Sequence, residues 1–356
     1  MESNLYAVVM AGGQGTRFWP ESVSKKPKQY LNLVGDSSLL SQSLNRFETL
    51  VGNEQRYIVT VKQQENLVKE NSQNLISKNG LIFEPSGRNT APCILLAMAH
   101  LLANGASEND VCAIVPSDHV ILNESGFRDV IKDAHLYASR EDKIVTIGIP
   151  PTFPHTGYGY IHRGTEIDSN VYNVTEFKEK PNFDKAKEYL ATGEYYWNAG
   201  MFVASIKTLT KEFKEHAPEI FEHFEALREN IDNFDGLSSV YNKIPSDSID
   251  FAIMEKSENV LVLPARFDWN DLGSWDALEE VITKTNGNTI ASAKSSYIVE
   301  AQGNIVFAPD KFVSLIGVND LIVVSNERAL MVLPKNQAQK VKDIVGHLKE
   351  TQPELL

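Results

Sequence analysis

Three glycines fall within the five residues Gly12-Gly13-Gln14-Gly15-Thr16, directly after an apolar run from Tyr6 to Ala11. Glycines at that density let the backbone take positive φ and turn several N–H groups toward one ligand. Such a concave set of amides suits a phosphate. Arg17 and Lys28 follow closely, adding mobile positive charge to the fixed dipoles, as a polyphosphate requires both when it binds and when it leaves. The spacing is not GxxxxGK followed by Ser or Thr, nor GxGxxG with an acidic residue about 20 positions on, so it matches neither of the two common glycine-loop motifs.

Two carboxylates are candidates for a hard dication. Val111 to Val115 reads as a buried strand that ends in Pro116-Ser117-Asp118-His119, placing Asp118 at a strand's carboxyl end, where open α/β sheets bind ligands. FDWNDLGSW, residues 267–275, contains Asp268 and Asp271. A second carboxylate beside Asp118 gives Mg2+ an oxygen pair while phosphates fill its other positions. Capping of a local turn is the plainer role for any of these aspartates. His119 reads as a hydrogen-bonding group, because no second His or Cys at suitable spacing supports a transition metal.

Further motifs carry donors for a small polar ligand. In EPSGRNTAP, residues 84–92, the Pro and Gly residues shape a rigid turn, and Arg88, Asn89 and Thr90 can meet a base or ribose edge. Asn89 or Thr90 also fits as a helix cap. TGYGYI at 156–161 places Gly157 and Gly159 where backbone can approach a ligand closely, FKEKP at 177–181 alternates charge along an edge strand, and WNAGMF at 197–202 offers the Asn198 amide.

The elements that must hold these residues alternate. Strands at 6–11, 56–61 and 81–83 are interleaved with helices at 39–50, capped by Ser37 or Ser38, at 63–77 and at 90–103. That rhythm implies a parallel sheet with helices on both faces. Helix 127–139, strand 144–149, a strand-like run 171–178, helix 182–192 and amphipathic helices over 206–230 follow, with a helix entering at Ser274. After residue 286, short β-branched runs at 296–300, 304–308, 313–317, 321–325 and 329–333 resemble successive rungs, and Asn336 to Leu348 forms a helix with Val341, Ile344, Val345 and Leu348 on one stripe. The reading is α/β, with a Rossmann-like domain over 1–285 holding a mostly parallel mixed sheet and a small β domain over 286–356.

Among 356 residues, 47 acidic against 34 basic side chains give a net charge of −13, which argues against a nucleic-acid surface. Cys93 and Cys112 lie in apolar stretches, as buried reduced thiols do. No run of about 18 apolar residues suggests a membrane span, and no signal segment is visible at the start, so a cytoplasmic location is expected.

GGxGTR with a downstream Pro-Lys pair resembles the signature loop of the sugar-nucleotide pyrophosphorylases. EPSGRNTAP, VPSDH, FKEKP and WNAGMF together resemble the mannose-1-phosphate guanylyltransferases over roughly residues 5–335. The resemblance implies the reaction of GTP with mannose 1-phosphate to give GDP-mannose and pyrophosphate, with Mg2+ as cofactor. It implies Arg17, Lys28 and Lys180 in catalysis. Ala11, Gly12, Gly13, Gly15, Thr16, Glu84, Arg88, Asn89, Thr90, Ser117 and Asp118 would bind the nucleotide. Gly157, Glu179, Lys180 and Asn198 would bind the sugar phosphate. The WxDxG pattern falls on Trp269, Asp271 and Gly273, so Asp271 joins Asp118 as metal ligand, a support that Asp268 lacks. It also implies a few turns of left-handed β-helix at the C-terminal end, where periodicity alone fits a small sandwich as well. A longer relative carries an isomerase domain, for which this chain leaves no room, so transferase activity alone is expected.

Another hexose or heptose 1-phosphate, or a base other than guanine, stays open. A catalytically silent subunit that binds GDP-mannose is disfavoured, since a binder needs no leaving-group clamp. The small C-terminal unit has little core of its own, so its stripe must dock on the catalytic domain or on a second copy, and a homodimer is expected.

Overall fold

The computed structural model describes residues 3–13 and 15–356; Gln14 of the glycine loop lies outside them. In the first half β1 (Leu5–Met10), α1 (Leu39–Asn45), β2 (Arg56–Val61), α2 (Glu65–Asn71), β3 (Leu81–Glu84), α3 (Thr90–Ala103) and β4 (Val111–Pro116) alternate as the sequence pattern implies. Strands β3, β2, β1 and β4 lie side by side in parallel. Both faces of β1 are covered. Val8 belongs to one core, Ala7 and Val9 to the core on the other side, which is why the strand is apolar throughout instead of alternating.

The second half adds α4 (Glu124–Glu141), β5 (Ile144–Ile149), β6 (Tyr160–Asp168), β7 (Val171–Lys178), α5 (Phe183–Thr192), β8 (Tyr195–Ser205), α6 (Ile206–His216), α7 (Pro218–Phe221), α8 (Phe224–Glu229), α9 (Phe234–Tyr241), β9 (Val260–Pro264) and α10 (Leu278–Val281). Strand β8 enters antiparallel between β4 and β5, and the nine-stranded sheet runs β3-β2-β1-β4-β8-β5-β9-β7-β6. It is therefore mixed, and parallel throughout the half that carries the glycine loop.

Local chemistry sets the ends of these elements. The Ser38 hydroxyl accepts from Ser41 N at 3.2 Å and opens α1; Asn182 does the same for Lys185 N at 3.0 Å and opens α5. Helix α2 stops at Asn71 instead of running to 77, because the Ser72 hydroxyl donates to the Val68 carbonyl at 2.6 Å and Asn74 turns to φ +66°. Beyond Ser274 the helix is a 3-10 turn followed by α10.

A second, four-stranded sheet holds β10 (Thr289–Val299), β11 (Ile305–Ile316), β12 (Leu321–Ser325) and β13 (Leu330–Pro334). The first three stack in parallel with Thr289 beside Ile305 and Ile305 beside Ile322, and β13 closes the stack antiparallel to β12. This is the rung-on-rung arrangement of a β-helix. Two of the expected rungs, 304–308 and 313–317, belong to the single long strand β11. Buried Asn304 joins the turns: its amide donates to Asn288 Oδ1 at 2.8 Å, and its oxygen accepts from Leu321 N at 3.0 Å.

After β13 a 3-10 turn, Lys335–Lys340, leads into α11 (Val341–Thr351). The stripe expected on this helix is present, with Val341, Val345 and Leu348 buried. It packs within the same chain. Ile305, Phe307, Val324, Val341, Val345 and Leu348 share one core with Phe18, Trp19, Leu31, Leu272 and Trp275, so the C-terminal unit is built onto the underside of the glycine loop.

Candidate active site

Strands β1 and β4 leave the sheet in register, Met10 beside Pro116, and Ser117 N donates to the Met10 carbonyl at 3.0 Å. The glycine loop and the Ser117-Asp118 pair thus open onto one side. Lys28 reaches between them: its side chain is 6% exposed, and its Nζ donates to Asp118 Oδ2 at 3.0 Å and to the Asp271 carbonyl at 2.6 Å. Arg17 Nη1 donates to the Gly273 carbonyl at 2.8 Å, and the Tyr158 hydroxyl donates to Asp271 Oδ1 at 2.8 Å. Segments far apart in the chain so converge on a cavity of about 270 Å3 whose walls include Gly15, Thr16, Arg17, Lys28, Asp118 and Asp271.

Charge is balanced inside this cleft. Desolvation works to raise the Asp118 carboxyl, but the charge and hydrogen bond of the Lys28 ammonium outweigh it and hold the group below the ordinary carboxylate range. Burial, followed by the Asp271 charge, pushes the Tyr158 phenol well above its usual value, so it stays a donor to Asp271. His119 is kept neutral by burial, and its Nδ1 accepts from Trp269 Nε1 at 3.1 Å. That is the hydrogen-bonding role expected of it.

A second cavity, about 320 Å3, adjoins the first along Asp118 and has Gly12, Gly13, Glu84, Arg88, Asn89, Thr90 and Ser117 in its walls. Ala11 lies beneath it: its N–H donates to Val59 O at 2.8 Å, and its carbonyl accepts from Gln29 and Thr60. Arg88 reaches the carbonyls of Asn242 and Ile244 at 2.5 and 2.6 Å, while Asn89, at φ +68°, caps α3 through Thr90 N. Glu84 is buried at the back and accepts from the Tyr241 hydroxyl; burial pushes its pKa up to about 7.

On the opposite side a cavity of about 630 Å3 is walled by Arg17, His155, Gly157, Tyr158, Lys180 and Asp271. Lys180 pairs with its neighbour Glu179. Glu179 and Asn198 sit behind Gly159, where a Cβ would come within 2.4 Å of Glu179 Oε2. The close approach that glycine permits here is to these two side chains. Asn198 Nδ2 donates to Asp250 Oδ1 at 3.0 Å, and Asp250 is pushed up to about 6 by burial and then by Glu179.

Asp118 and Asp271 face the central cavity together, whereas Asp268 accepts from Leu122 N at 2.8 Å and Asn123 N at 2.6 Å and is spent on the entry to α4. Among the described residues no cluster of three or more His, Cys, Asp or Glu gathers as a metal cage. Two carboxylates beside a phosphate-sized cavity suit a cation that takes its remaining ligands from phosphate and water, as Mg2+ does. The residues present fit such an ion.

A family model described as Nucleotidyl transferase matches residues 6–288, and one described as MannoseP isomerase/GMP-like beta-helix domain matches residues 296–348. A mannose-1-phosphate guanylyltransferase of Klebsiella pneumoniae is 37% identical over 356 residues, covering 98% of this chain and 74% of the relative. One of Salmonella muenchen is 36% identical over 353 residues with the same coverage. The chain belongs to the mannose-1-phosphate guanylyltransferase family. A solved structure from Thermus thermophilus, described as a mannose-1-phosphate geranyltransferase, matches with a TM-score of 0.89 at 33% identity, covering 98% of this chain and 100% of its own. Enzymes of this family are nucleotidyltransferases, and a divalent cation belongs to their chemistry.

Sequence reasoning gave no role to several residues of the site. Tyr158 lay inside TGYGYI, so its position was visible and its partner was not, and Asp250 had neither role nor partner assigned. Gln339 and Lys342 of the C-terminal unit also line the cavity of about 630 Å3. No motif marks them.

Proposed function

We propose that the chain transfers GMP from GTP to α-D-mannose 1-phosphate, giving GDP-mannose and pyrophosphate. One observation carries this reading: three cavities meet around one charged centre. Asp118 borders the Glu84 cavity and the central one; Arg17 and Asp271 border the central cavity and the one holding Lys180. A base seated beside Glu84 leaves its phosphates along the glycine loop, and a sugar phosphate at Lys180 approaches from the far side.

The reaction forms a bond between a sugar-phosphate oxygen and the α-phosphorus and breaks the bond from that phosphorus to the β-bridging oxygen. The attacking oxygen is already an anion, so no general base is needed and the residues position and neutralise. Lys28, fixed by two acceptors, sits beside the α-phosphate. Arg17 meets charge that grows on the leaving pyrophosphate, and Lys180 anchors the attacking phosphate, with Glu179, Asn198 and Gly157 near the hexose. Asp118 and Asp271 would hold Mg2+, which when bound lowers the repulsion between the two phosphate groups.

The nine-stranded sheet ends its last strand at Pro264 and the second sheet begins at Thr289, which supports a division near residues 285 and 286. Tyr297, Phe312, Ile316, Leu330 and Val332 are exposed on the C-terminal strands, supporting a homodimer that uses this unit. The stripe on α11 is already covered and has no part in it. The thiols of Cys93 and Cys112 are free and buried, and with a GTP substrate they support a cytoplasmic setting. Among the described residues no helix is long and apolar enough to cross a membrane.

Pyrophosphate release across a matrix of nucleoside triphosphates and sugar 1-phosphates tests the activity. Turnover with GTP and mannose 1-phosphate above all other pairs is expected. Preference for another pair reassigns the substrates, and GDP-mannose binding without turnover in any pair leaves a regulatory subunit.

A further inference from the structure

Arg17 and Lys28 are the cations of the central cavity that come from the catalytic domain, and Asp118 and Asp271 are its carboxylates. These four charges cancel. A nucleoside triphosphate carries several negative charges and one dication offsets only part of them, so a cleft with no surplus of positive charge is poorly matched to it.

The surplus comes from the other end of the chain. Lys342, on the first turn of α11, lines both the central cavity and the sugar-side cavity, as Arg17 does. Its place is fixed by its neighbours: Val341 and Val345 are buried in the core that also holds Phe18, the residue after Arg17. Gln339, one turn earlier, donates to the Ser274 hydroxyl at 2.9 Å and pins the same segment to the cavity rim. Nearby Lys335 is occupied, its Nζ lying 3.1 Å from Glu279. The Lys342 ammonium has no hydrogen bond or ion pair among the described residues.

We propose that Lys342 binds the β- and γ-phosphates of the nucleotide and then the departing pyrophosphate, so that the C-terminal unit completes the active site. The proposal rests on the nucleotidyl-transfer reading above. An exposed ammonium on a helix pinned at both sides delivers one charge to the mouth of the phosphate cavity at little ordering cost. It is absent from the cavity around Glu84 and so acts on the phosphates and not on the base.

The test compares wild type with Lys342→Ala, Lys342→Arg, Lys342→Glu and, on the last turn of the same helix and outside both cavities, Lys349→Ala. Kinetics run in both directions, and pyrophosphate binding is measured by calorimetry. Lys342→Ala is expected to raise the KM for pyrophosphate about tenfold, with that for mannose 1-phosphate changed less than about twofold. Lys342→Glu should be worse, Lys342→Arg should recover most of the loss, and Lys349→Ala should match wild type. Unfolding temperatures should be unchanged, as the side chain is exposed. An unchanged pyrophosphate KM and affinity in Lys342→Ala overturns the proposal, and so does a loss confined to mannose 1-phosphate. If wild type turns over no GTP with mannose 1-phosphate, the functional reading fails by itself, and calorimetry still decides whether Lys342 holds pyrophosphate.

Discussion

Gly15 lies directly beneath Lys28: a Cβ on Gly15 would stand 2.2 Å from the Lys28 Cβ, and its φ of +60° favours glycine in any case. The contact sets where the Lys28 ammonium emerges between Asp118 and Asp271. Gly15→Ala must therefore move either the loop or the lysine, because backbone strain and overlap act together at one residue. We expect it to lower kcat/KM by about 100-fold, near the level of Lys28→Ala, while most of the fold survives. Steady-state kinetics beside a thermal melt check this; Gly15→Ala with more than about a third of wild-type activity shows that the packing is not what places Lys28.

Asp271 offers a carboxylate to the central cavity while its backbone carbonyl holds Lys28. Asp271→Asn leaves the carbonyl in place and removes only the side-chain charge. Folding should be normal and turnover with Mg2+ should fall at least 100-fold, since a neutral amide does not offset a dication. Tyr158→Phe, which deletes the hydroxyl donating to Asp271, should cost about tenfold or less. If Asp271→Asn stays within about threefold of wild type, Asp271 is not a metal ligand.

Buried Glu84 holds its proton to about pH 7 against an ordinary 4.5. The unfolded chain loses that proton first, so the favourable contribution is complete below about 4.5 and is lost as pH rises through about 7. Each unit corresponds to about 1.4 kcal/mol, giving a ceiling of about 3 to 4 kcal/mol for this group. Glu84→Gln, uncharged at all these values, should therefore gain in melting temperature relative to wild type between pH 4.5 and 8. Melts of both proteins at pH 4.5, 6 and 8 read the difference directly. A constant gap means that the folded and unfolded chains hold the Glu84 proton alike.

Most of the centre was legible because its residues follow strands of unmistakable composition. Apolar runs fix β1 and β4, and whatever follows their carboxyl ends, here Gly12 to Thr16 and Ser117-Asp118, must face the ligand. What stayed hidden was pairing. Asp268 and Asp271 are three residues apart and alike in chemistry; the WxDxG resemblance favoured Asp271 but did not show that Asp268 would turn away after β9 to accept from the amides of Leu122 and Asn123. Arg88 looked like a free donor, yet the structure spends it on carbonyls of residues 242 and 244, about 150 positions later. The α11 stripe was visible by period, but a period names a buried face without naming its partner.

That partner changes what truncation should do. From sequence alone, removal of residues 287–356 leaves the nucleotide loop intact. In the structure Trp19 Nε1 donates to the Leu355 carbonyl at 3.1 Å, Asn326 Nδ2 donates to the Pro20 carbonyl at 3.0 Å, and Phe18 is buried against the C-terminal core. Losing that core exposes Phe18 and Trp19 to water on the segment that carries Arg17. The truncated protein should therefore unfold at a lower temperature and lose most of its turnover, in addition to any dimer that its β strands support. A milder variant separates the effects: Val341→Ala with Val345→Ala keeps the exposed strands but opens the shared core, at about 1 to 3 kcal/mol per site. It should sediment as wild type does, melt earlier, and show a raised KM for GTP. Wild-type turnover in the truncated protein would mean that the loop holds its shape unaided.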